Sequence, residues 1–471
     1  MLKNVLILQD DSYTEVDIAV DEGVIQAIQP VDSPQAQSNP DLPLVDGQHK
    51  LLLPGFVNGH THSTQMWQRG LIAPLPLELW LANLIDSSPQ ELEQIYWGAL
   101  STAVATLRSG GTCLVDHLTL LPGRELETVA AVVRAYRQVG IRALIAPLVQ
   151  DLPLGAGLPG RLPTPAYPQT AAEILQTMAE IVQTFHDPQG GIQIGVGPTG
   201  FHRCSDALLV GSAELSQRYG LCRHTHLLET RMQKKLAQER YGGSAVRHLY
   251  DLGFLNRQTS LAHCVWLESA DLPLLAETGA TVVHNPVSNL RLGSGIAPIL
   301  DCLAAGVNVA FGCDGAASND GQDLLEAIKL GTMLHNITDP DYRHWITPRQ
   351  AIQLAASGGA QGVGLADQIG KLAVGYSADF VLYNLPRSLL AQTDPIQFLV
   401  YTKPAAVVER VWVGGRLLVE TGEVCTVEPE QGTLLFPPRE QPQPSQFQTQ
   451  SALEPHYRNV ALTESDPASN C

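Results

Sequence analysis

Between residues 54 and 370 the chain alternates short apolar segments with longer stretches of helical periodicity, and this rhythm narrows the possible folds more than any other feature. Eight segments read as strands: PGFVNGHTH, GTCLVDHL, RALIAPLVQD, IQIGVGPTG, LCRHTHLLE, TSLAHCVW, ATVVHNPVSN and NVAFGCDGAAS. Residues 89–109, 125–139, 171–185 and 267–277 between them read as amphipathic helices. Eight βα units in about 300 residues predict an α/β protein built on a (β/α)8 TIM-like barrel.

The flanks have another texture. Residues 1–53 contain NVLIL, EVDIAV and VIQAIQP, the last two joined across Asp21-Glu22-Gly23, and residues 371–432 contain SADFVLYNL and VERVWVGGRLLVETGEV, with Gly414-Gly415 as a two-residue hairpin turn. Together they predict one small β-sandwich assembled from both termini. From 433 to 471 the chain turns rich in Pro and Gln, as in PPREQPQPSQFQTQ, and a flexible tail without regular structure is expected.

Charge and cysteine usage exclude several classes of function. The net charge is −18, from 29 basic and 47 acidic residues, which disfavours nucleic acid and anionic membrane as partners. No basic stripe with interleaved aromatics appears. No apolar run reaches about 18 residues, so no membrane span is expected. MLKNVLILQDDSYTEVDIAV meets acidic residues too early for a signal peptide. The eight cysteines are scattered without a CxxC pair, which fits reduced thiols and a cytoplasmic enzyme.

Chemistry concentrates at the carboxyl ends of the strand segments. His60 and His62 close the first, His226 and Glu229 the fifth, His263 the sixth, His284 the seventh and Asp314 the eighth. In a barrel these ends converge on one face, where active sites sit. Three imidazoles and a carboxylate suit one divalent metal, Zn2+ first and Fe2+ second. The metal would bring a water molecule's pKa toward neutrality. Glu229, just past a strand end, is the candidate general acid/base. Asp314 is placed to ligate the metal and accept the water's proton, and His263 to steady the developing charge. His224 shares a face with His226 but lies deeper, as a buried hydrogen-bonded histidine would. His117 is a candidate partner of a ligand, and Cys264 and Cys313 are expected to face the opposite way and pack.

PGFVNGHTH, HLLE, LAHCVW, HNPVSNLRLGSG and DGAASND, in that order, resemble the amidohydrolase superfamily, specifically its aminohydrolase branch of triazine hydrolases, guanine-type deaminases and methylthioadenosine/adenosylhomocysteine deaminases. The resemblance covers roughly residues 1 to 430. It implies a mononuclear metal bound by His60, His62, His226 and Asp314, with Glu229 and His263 as the proton-transfer pair. Relatives with two metals bridge them with a modified lysine at the end of the fourth strand; IQIGVGPTGFHR has none, which favours one metal.

The function so implied is hydrolytic deamination of an amino-substituted aromatic N-heterocycle (purine, adenine nucleoside, pterin or triazine) with release of ammonia. The alternatives are triazine dechlorination, opening of a cyclic amide, and a noncatalytic scaffold. The HxE with PCxxC pattern of cytidine-type deaminases is absent. Nucleoside contacts match less well: Asp86 and Glu91 are displaced candidates for a ribose-binding glutamate, Pro147 stands where an arginine is expected, and Thr199 where a histidine is, with His202 three residues later. Trp67 and Trp80 read either as an aromatic pocket or as packing. His202, His284 and Asn289 join Trp67 as candidate substrate contacts, with Arg291 nearby in a loop whose glycines also shape the backbone. His284 reads equally as orienting a ligand or bonding backbone. The expected partner is a small heterocycle, and a homo-oligomer is compatible.

Overall fold

Each of the eight segments contributes a strand: Phe56–Thr61, Gly111–Thr119, Arg142–Val149, Ile192–Ile194 continuing at Gly197–Pro198, Arg223–Leu227, Thr259–His263, Thr281–His284 and Asn308–Phe311. The computed structural model describes the chain apart from residues 10–11, 32–43, 89–90, 161–166, 387, 389–392, 406, 429–447 and 462–471. The strands pair in parallel as two arcs, the first four and the last four. The arcs join where Val196 bridges Arg223 and the His224 N–H donates to the Val196 carbonyl at 2.9 Å. Opposite, the Asp314 N–H donates to the His60 carbonyl at 2.9 Å, which draws the first and eighth strands together. Gly312 permits that approach: a Cβ there would lie 2.3 Å from Asn285 Oδ1 and 3.0 Å from His60 N.

Helices cover the barrel's outside. Ala171–Phe185 begins at a capping box in which the Thr170 hydroxyl accepts the Glu173 N–H and Glu173 reaches back to the Thr170 N–H. Glu125–Val139 ends at Gly140, whose φ of 89° is the left-handed conformation that terminates helices. Its Val129, Val132, Val133 and Tyr136 pack into the main core. Leu92–Arg108 matches the expected 89–109 helix, whereas the expected 267–277 helix is confined to Leu272–Thr278. None of the described helices is long and apolar enough to cross a membrane.

The terminal segments form one nine-stranded sheet. Lys50–Pro54 and Phe380–Asn384 run antiparallel side by side, which stitches the two ends of the chain together. The sheet curls on itself, because the turn at Gly23 meets the hairpin at Gly414-Gly415 and the Ala378 N–H donates to the Gly23 carbonyl at 2.7 Å. Val5, Ile18, Ile25, Leu52, Phe380 and Trp412 fill the space within.

Asp379, immediately before the interior strand Phe380–Asn384, locks this unit to the barrel. Its carboxylate accepts from Arg142 Nε at 2.7 Å and Nη2 at 3.1 Å, from the Ser377 hydroxyl at 2.6 Å and from the Gly414 N–H at 2.8 Å. Asp379→Ala strands the Arg142 guanidinium and several donors, so chemical denaturation of the variant is expected to show a loss of about 3 kcal/mol. A loss below about 0.5 kcal/mol would remove the pair from the account of stability.

The expectation of an unstructured tail is corrected in part. Gln448–Ala461 is a helix, while 433–447 and 462–471 lie outside the described residues. Leu453 and Tyr457, one helical turn apart, pack on Leu79, Ala82 and Leu158. Thr449 bonds Asp86, Gln450 bonds Asn83, and His456 reaches the Pro159 carbonyl. Composition missed this helix because its apolar stripe is short and becomes favourable on meeting a partner surface.

Candidate functional site

Parallel register aligns the strand ends. Leu227 pairs with His263 and His284 with Phe311, so residues just beyond those positions reach one mouth. His62 Nε2 lies 3.2 Å from His226 Nε2 and 3.5 Å from Asp314 Oδ1, and His60 Nε2 lies 3.3 Å from the same oxygen. Four residues from three distant parts of the sequence thus face one point. His60, His62 and Asp314 are buried, His60 fully so, and His226 is half-buried at the mouth.

Hydrogen bonds on the far side of each ring set the tautomers. His62 Nδ1–H donates to the His117 carbonyl at 2.6 Å and His226 Nδ1–H to the Thr199 carbonyl at 2.8 Å. Both Nε2 atoms therefore carry lone pairs. Ser260 Oγ, directed at the Arg223 carbonyl, accepts from His224 Nδ1–H at 2.7 Å, and His224 Nε2 in turn accepts His60 Nδ1–H at 2.7 Å. His60 Nε2 is left as a lone pair without a hydrogen-bond partner. Three lone pairs and a carboxylate oxygen pointing at one another repel, and a cation resolves the repulsion. The donors are those of a divalent-metal site.

Electrostatics agrees with the tautomers. Burial lowers His60 to about 3 and His226 well below its ordinary value, so both rings are neutral. Burial pushes the Asp314 carboxyl up, and what would hold it below the usual carboxylate range is positive charge at His60, ahead of His263 and His62; with the His60 ring neutral, a bound cation takes that place. Asp314 is fixed further by the Ser318 hydroxyl at 2.8 Å and the Gly315 N–H at 2.7 Å. Its φ of 59° and the 74° of His263 are left-handed conformations costing about 1–3 kcal/mol each, strain of the kind that collects at functional sites.

Beside the cluster, His263 Nε2 lies 3.6 Å from Glu229 Oε2. Burial, ahead of the nearby Asp314 and Glu78 carboxylates, holds the Glu229 carboxyl well above its ordinary range. His263 Nδ1–H donates to Asn289 Oδ1 at 2.9 Å, leaving Nε2 toward Glu229 and the cluster.

A cavity of about 430 Å3 opens from these groups, its wall including His62, His226, Glu229, His263 and Asp314. Of the residues read as substrate contacts, His202 and Trp80 line it. Trp67 does not: its indole N–H donates to the Gln94 carbonyl, anchoring the following helix. His284 is turned away to His335, Nε2 to Nε2 at 3.2 Å, and Asn289 orients His263 instead of lining the cavity. Arg291 binds Asp320 and the Ile72 carbonyl. Asp86 holds Thr449, and Glu91 caps the helix Leu92–Arg108, so neither faces the cavity. His117 orients His62 through its backbone carbonyl rather than its ring.

Sequence reasoning missed the helix Leu77–Asp86, which supplies Leu77, Trp80, Leu81, Leu84 and Ile85 to the wall. The signal was present as apolar residues at helical spacing. Asp116 was also missed: it accepts from the Ser63 N–H and the Tyr136 hydroxyl and so fixes the turn after His62.

The chain has relatives among known proteins. The chain is 32% identical over 394 residues to a 5-methylthioadenosine/S-adenosylhomocysteine deaminase of Syntrophomonas wolfei, covering 82% of this chain and 86% of that one. An adenosine deaminase from Xanthomonas campestris with bound zinc superposes at a TM-score of 0.80, with 25% identity and 98% of each chain covered. Atrazine chlorohydrolase from Arthrobacter aurescens TC1, complexed with zinc, superposes at 0.84, with 25% identity over 92% of this chain and 98% of that one. The model of the amidohydrolase family matches residues 51–418. With that match spanning the barrel and the strands of the terminal sheet next to it, the chain belongs to the amidohydrolase family.

Proposed function

We propose that this protein is a metal-dependent hydrolytic deaminase that replaces an amino group on an aromatic N-heterocycle and releases ammonia. The observation that carries the reading is the pairing of Glu229 with His263 beside the donor cluster, inside the cavity. Displacing an amine requires a proton on the leaving nitrogen, whereas displacing chloride does not, and a buried carboxyl with a raised pKa is suited to carry one.

His60, His62, His226 and Asp314 would hold the ion, with Zn2+ favoured by a donor set of three imidazoles and one carboxylate. The ion, when bound, supplies acidification of a water molecule to near-neutral pKa. The protein's own groups then divide the proton transfers. Glu229 gives its proton to the ring nitrogen beside the attacked carbon, which lets that carbon take the oxygen. Asp314 accepts the proton lost by the attacking water, and Glu229 then takes the hydroxyl proton of the adduct and delivers it to the departing amino group; the proton left on Asp314 restores Glu229 for the next turnover. His263, held by Asn289, hydrogen-bonds the incoming oxygen. The apolar wall of the helix Leu77–Asp86 excludes bulk water and receives the ring. The described cysteines are all free, in keeping with a reducing, cytoplasmic setting.

The test is ammonia release by zinc-loaded protein against adenine nucleosides, guanine, pterins and aminotriazines. Turnover of at least one member, with one oxygen gained per ammonia lost, is expected. Chloride release from a chlorotriazine without any deamination would replace this reading with the dechlorinating one.

A further inference from the structure

Among the described residues two arginines are buried, and they differ in how they are satisfied. Arg223 donates to Ser216 Oγ and to the carbonyls of Gly253, Phe254 and Ala213. Even half-buried Arg142 has Asp379, and half-buried Arg240 has the carbonyls of Phe201, Ala156 and His202. Arg203, 7% exposed, has neither a hydrogen bond nor an ion pair to its guanidinium among the described residues, and its Nε is fully enclosed. It lines the same cavity as the donor cluster, near Gln150, Tyr167, Thr199 and His202.

The loop carrying Arg203 is rigidly held. The Arg203 carbonyl accepts the Leu152 N–H at 3.1 Å, Cys204 Sγ reaches the Val149 carbonyl, and Ser205 binds Asp151 through both its N–H and its hydroxyl. Gly157 leaves room for the stem, since a Cβ there would lie 3.1 Å from Arg203 Cγ. The guanidinium is therefore prepositioned rather than swinging free. Burial lowers it to about 10, which still leaves it charged at neutral pH. The cavity wall's two carboxylates, Glu229 and Asp314, are committed to His263 and to the metal cluster. A buried cation with no counter-charge is a fault in a folded protein unless a ligand supplies the missing anion.

We propose that Arg203 is a specificity-determining residue that binds a carboxylate-type oxyanion on the substrate, so that the preferred substrate is an amino-heterocycle bearing an anionic substituent. This rests on the deaminase reading for the identity of the ring, while the anion subsite itself rests on Arg203. An uncharged sugar or alkyl group would fill the volume and leave the guanidinium unpaired. A carboxylate accepts from it in the bidentate geometry that arginine favours. His202, kept neutral by burial ahead of the adjacent Arg203 charge, adds a polar ring beside it.

The experiment compares amino-heterocycles identical except for a side-chain carboxylate or its neutral amide, using zinc-loaded wild type, Arg203→Met and Arg203→Lys. Wild type is expected to favour the acid in kcat/KM by roughly ten- to a hundredfold, as charge-assisted hydrogen bonds warrant. Arg203→Met should abolish the preference and Arg203→Lys should retain part of it. Calorimetric binding of the already deaminated acid and amide gives a readout independent of turnover. If no ring is deaminated but the acid binds wild type and not Arg203→Met, the deaminase reading fails and the anion subsite stands. Equal binding of acid and amide to wild type, or an acid preference that survives Arg203→Met, overturns the subsite. Thermal unfolding supplies a further discriminator: Arg203→Met should melt no lower than ligand-free wild type, because it removes an uncompensated charge, and a clear drop would mark Arg203 as structural.

Discussion

Glu229→Gln is expected to lower kcat by roughly 100- to 10,000-fold while metal content stays at the wild-type level. Glutamine is isosteric, preserves the backbone bond from the Glu229 N–H to Gln233 Oε1 at 2.9 Å, and cannot shuttle a proton. Glu229 stands outside the donor cluster, beside His263, so the ion should be retained and elemental analysis should find it. A variant that turns over like wild type ends Glu229's part in the mechanism. The variant also carries a stability signature in metal-free protein. The carboxyl's pKa is raised by burial first and by Asp314 and Glu78 next, so ionising it costs folded-state stability as pH rises above the ordinary carboxylate value. The neutral amide lacks that cost, and metal-free Glu229→Gln should melt no lower than metal-free wild type at pH 8.

Loss of a donor should act differently. His62→Ala is expected to reduce both metal affinity and turnover by more than the roughly 10- to 100-fold that loss of an outer hydrogen-bond partner costs. His224→Ala supplies the comparison, since its ring bonds His60 Nδ1 and faces the cluster from behind. It should fall within that smaller range. Equal losses in competition titrations against a chelator would mean that His224 is itself a donor and that the ordering of the two shells is wrong. The alternative grouping of His60, His117 and His224 would then be the metal site.

Much of the site could be read in one dimension because barrel geometry gives strand ends a common destination. His60, His62, His226, Glu229, His263 and Asp314 each follow an apolar run, and any closed parallel barrel carries such positions to one mouth. The hairpins at Glu22-Gly23 and Gly414-Gly415 were equally legible, since left-handed turns demand those residues; Gly23, Gly414 and Gly415 have φ of 78°, 55° and 75°. Which side chains line the cavity was legible only in part, since His202 and Trp80 do so and others do not. Trp67, His284 and Asn289 have the right chemistry near the right motifs, yet their side chains point to Gln94, His335 and His263. Direction depends on the neighbouring backbone, which adjacency in sequence does not encode.

Local pattern and residue chemistry by themselves determined the parallel barrel, the joining of the two ends in one sheet, and the group of imidazoles and carboxylates at the mouth. Periodicity acts over a few residues, and each strand carries its own share of it. The tertiary structure alone decided which ring nitrogen faces inward, because carbonyls from His117 and Thr199 and the relay from Ser260 hold the other one. It decided that the helix at Gln448–Ala461 forms against Leu79 and Ala82, and that Arg203 lies buried beside the cavity without a hydrogen-bond partner among the described residues. Hydrogen-bond partners and burial arise from segments far apart along the chain, and their energies exist once those segments meet.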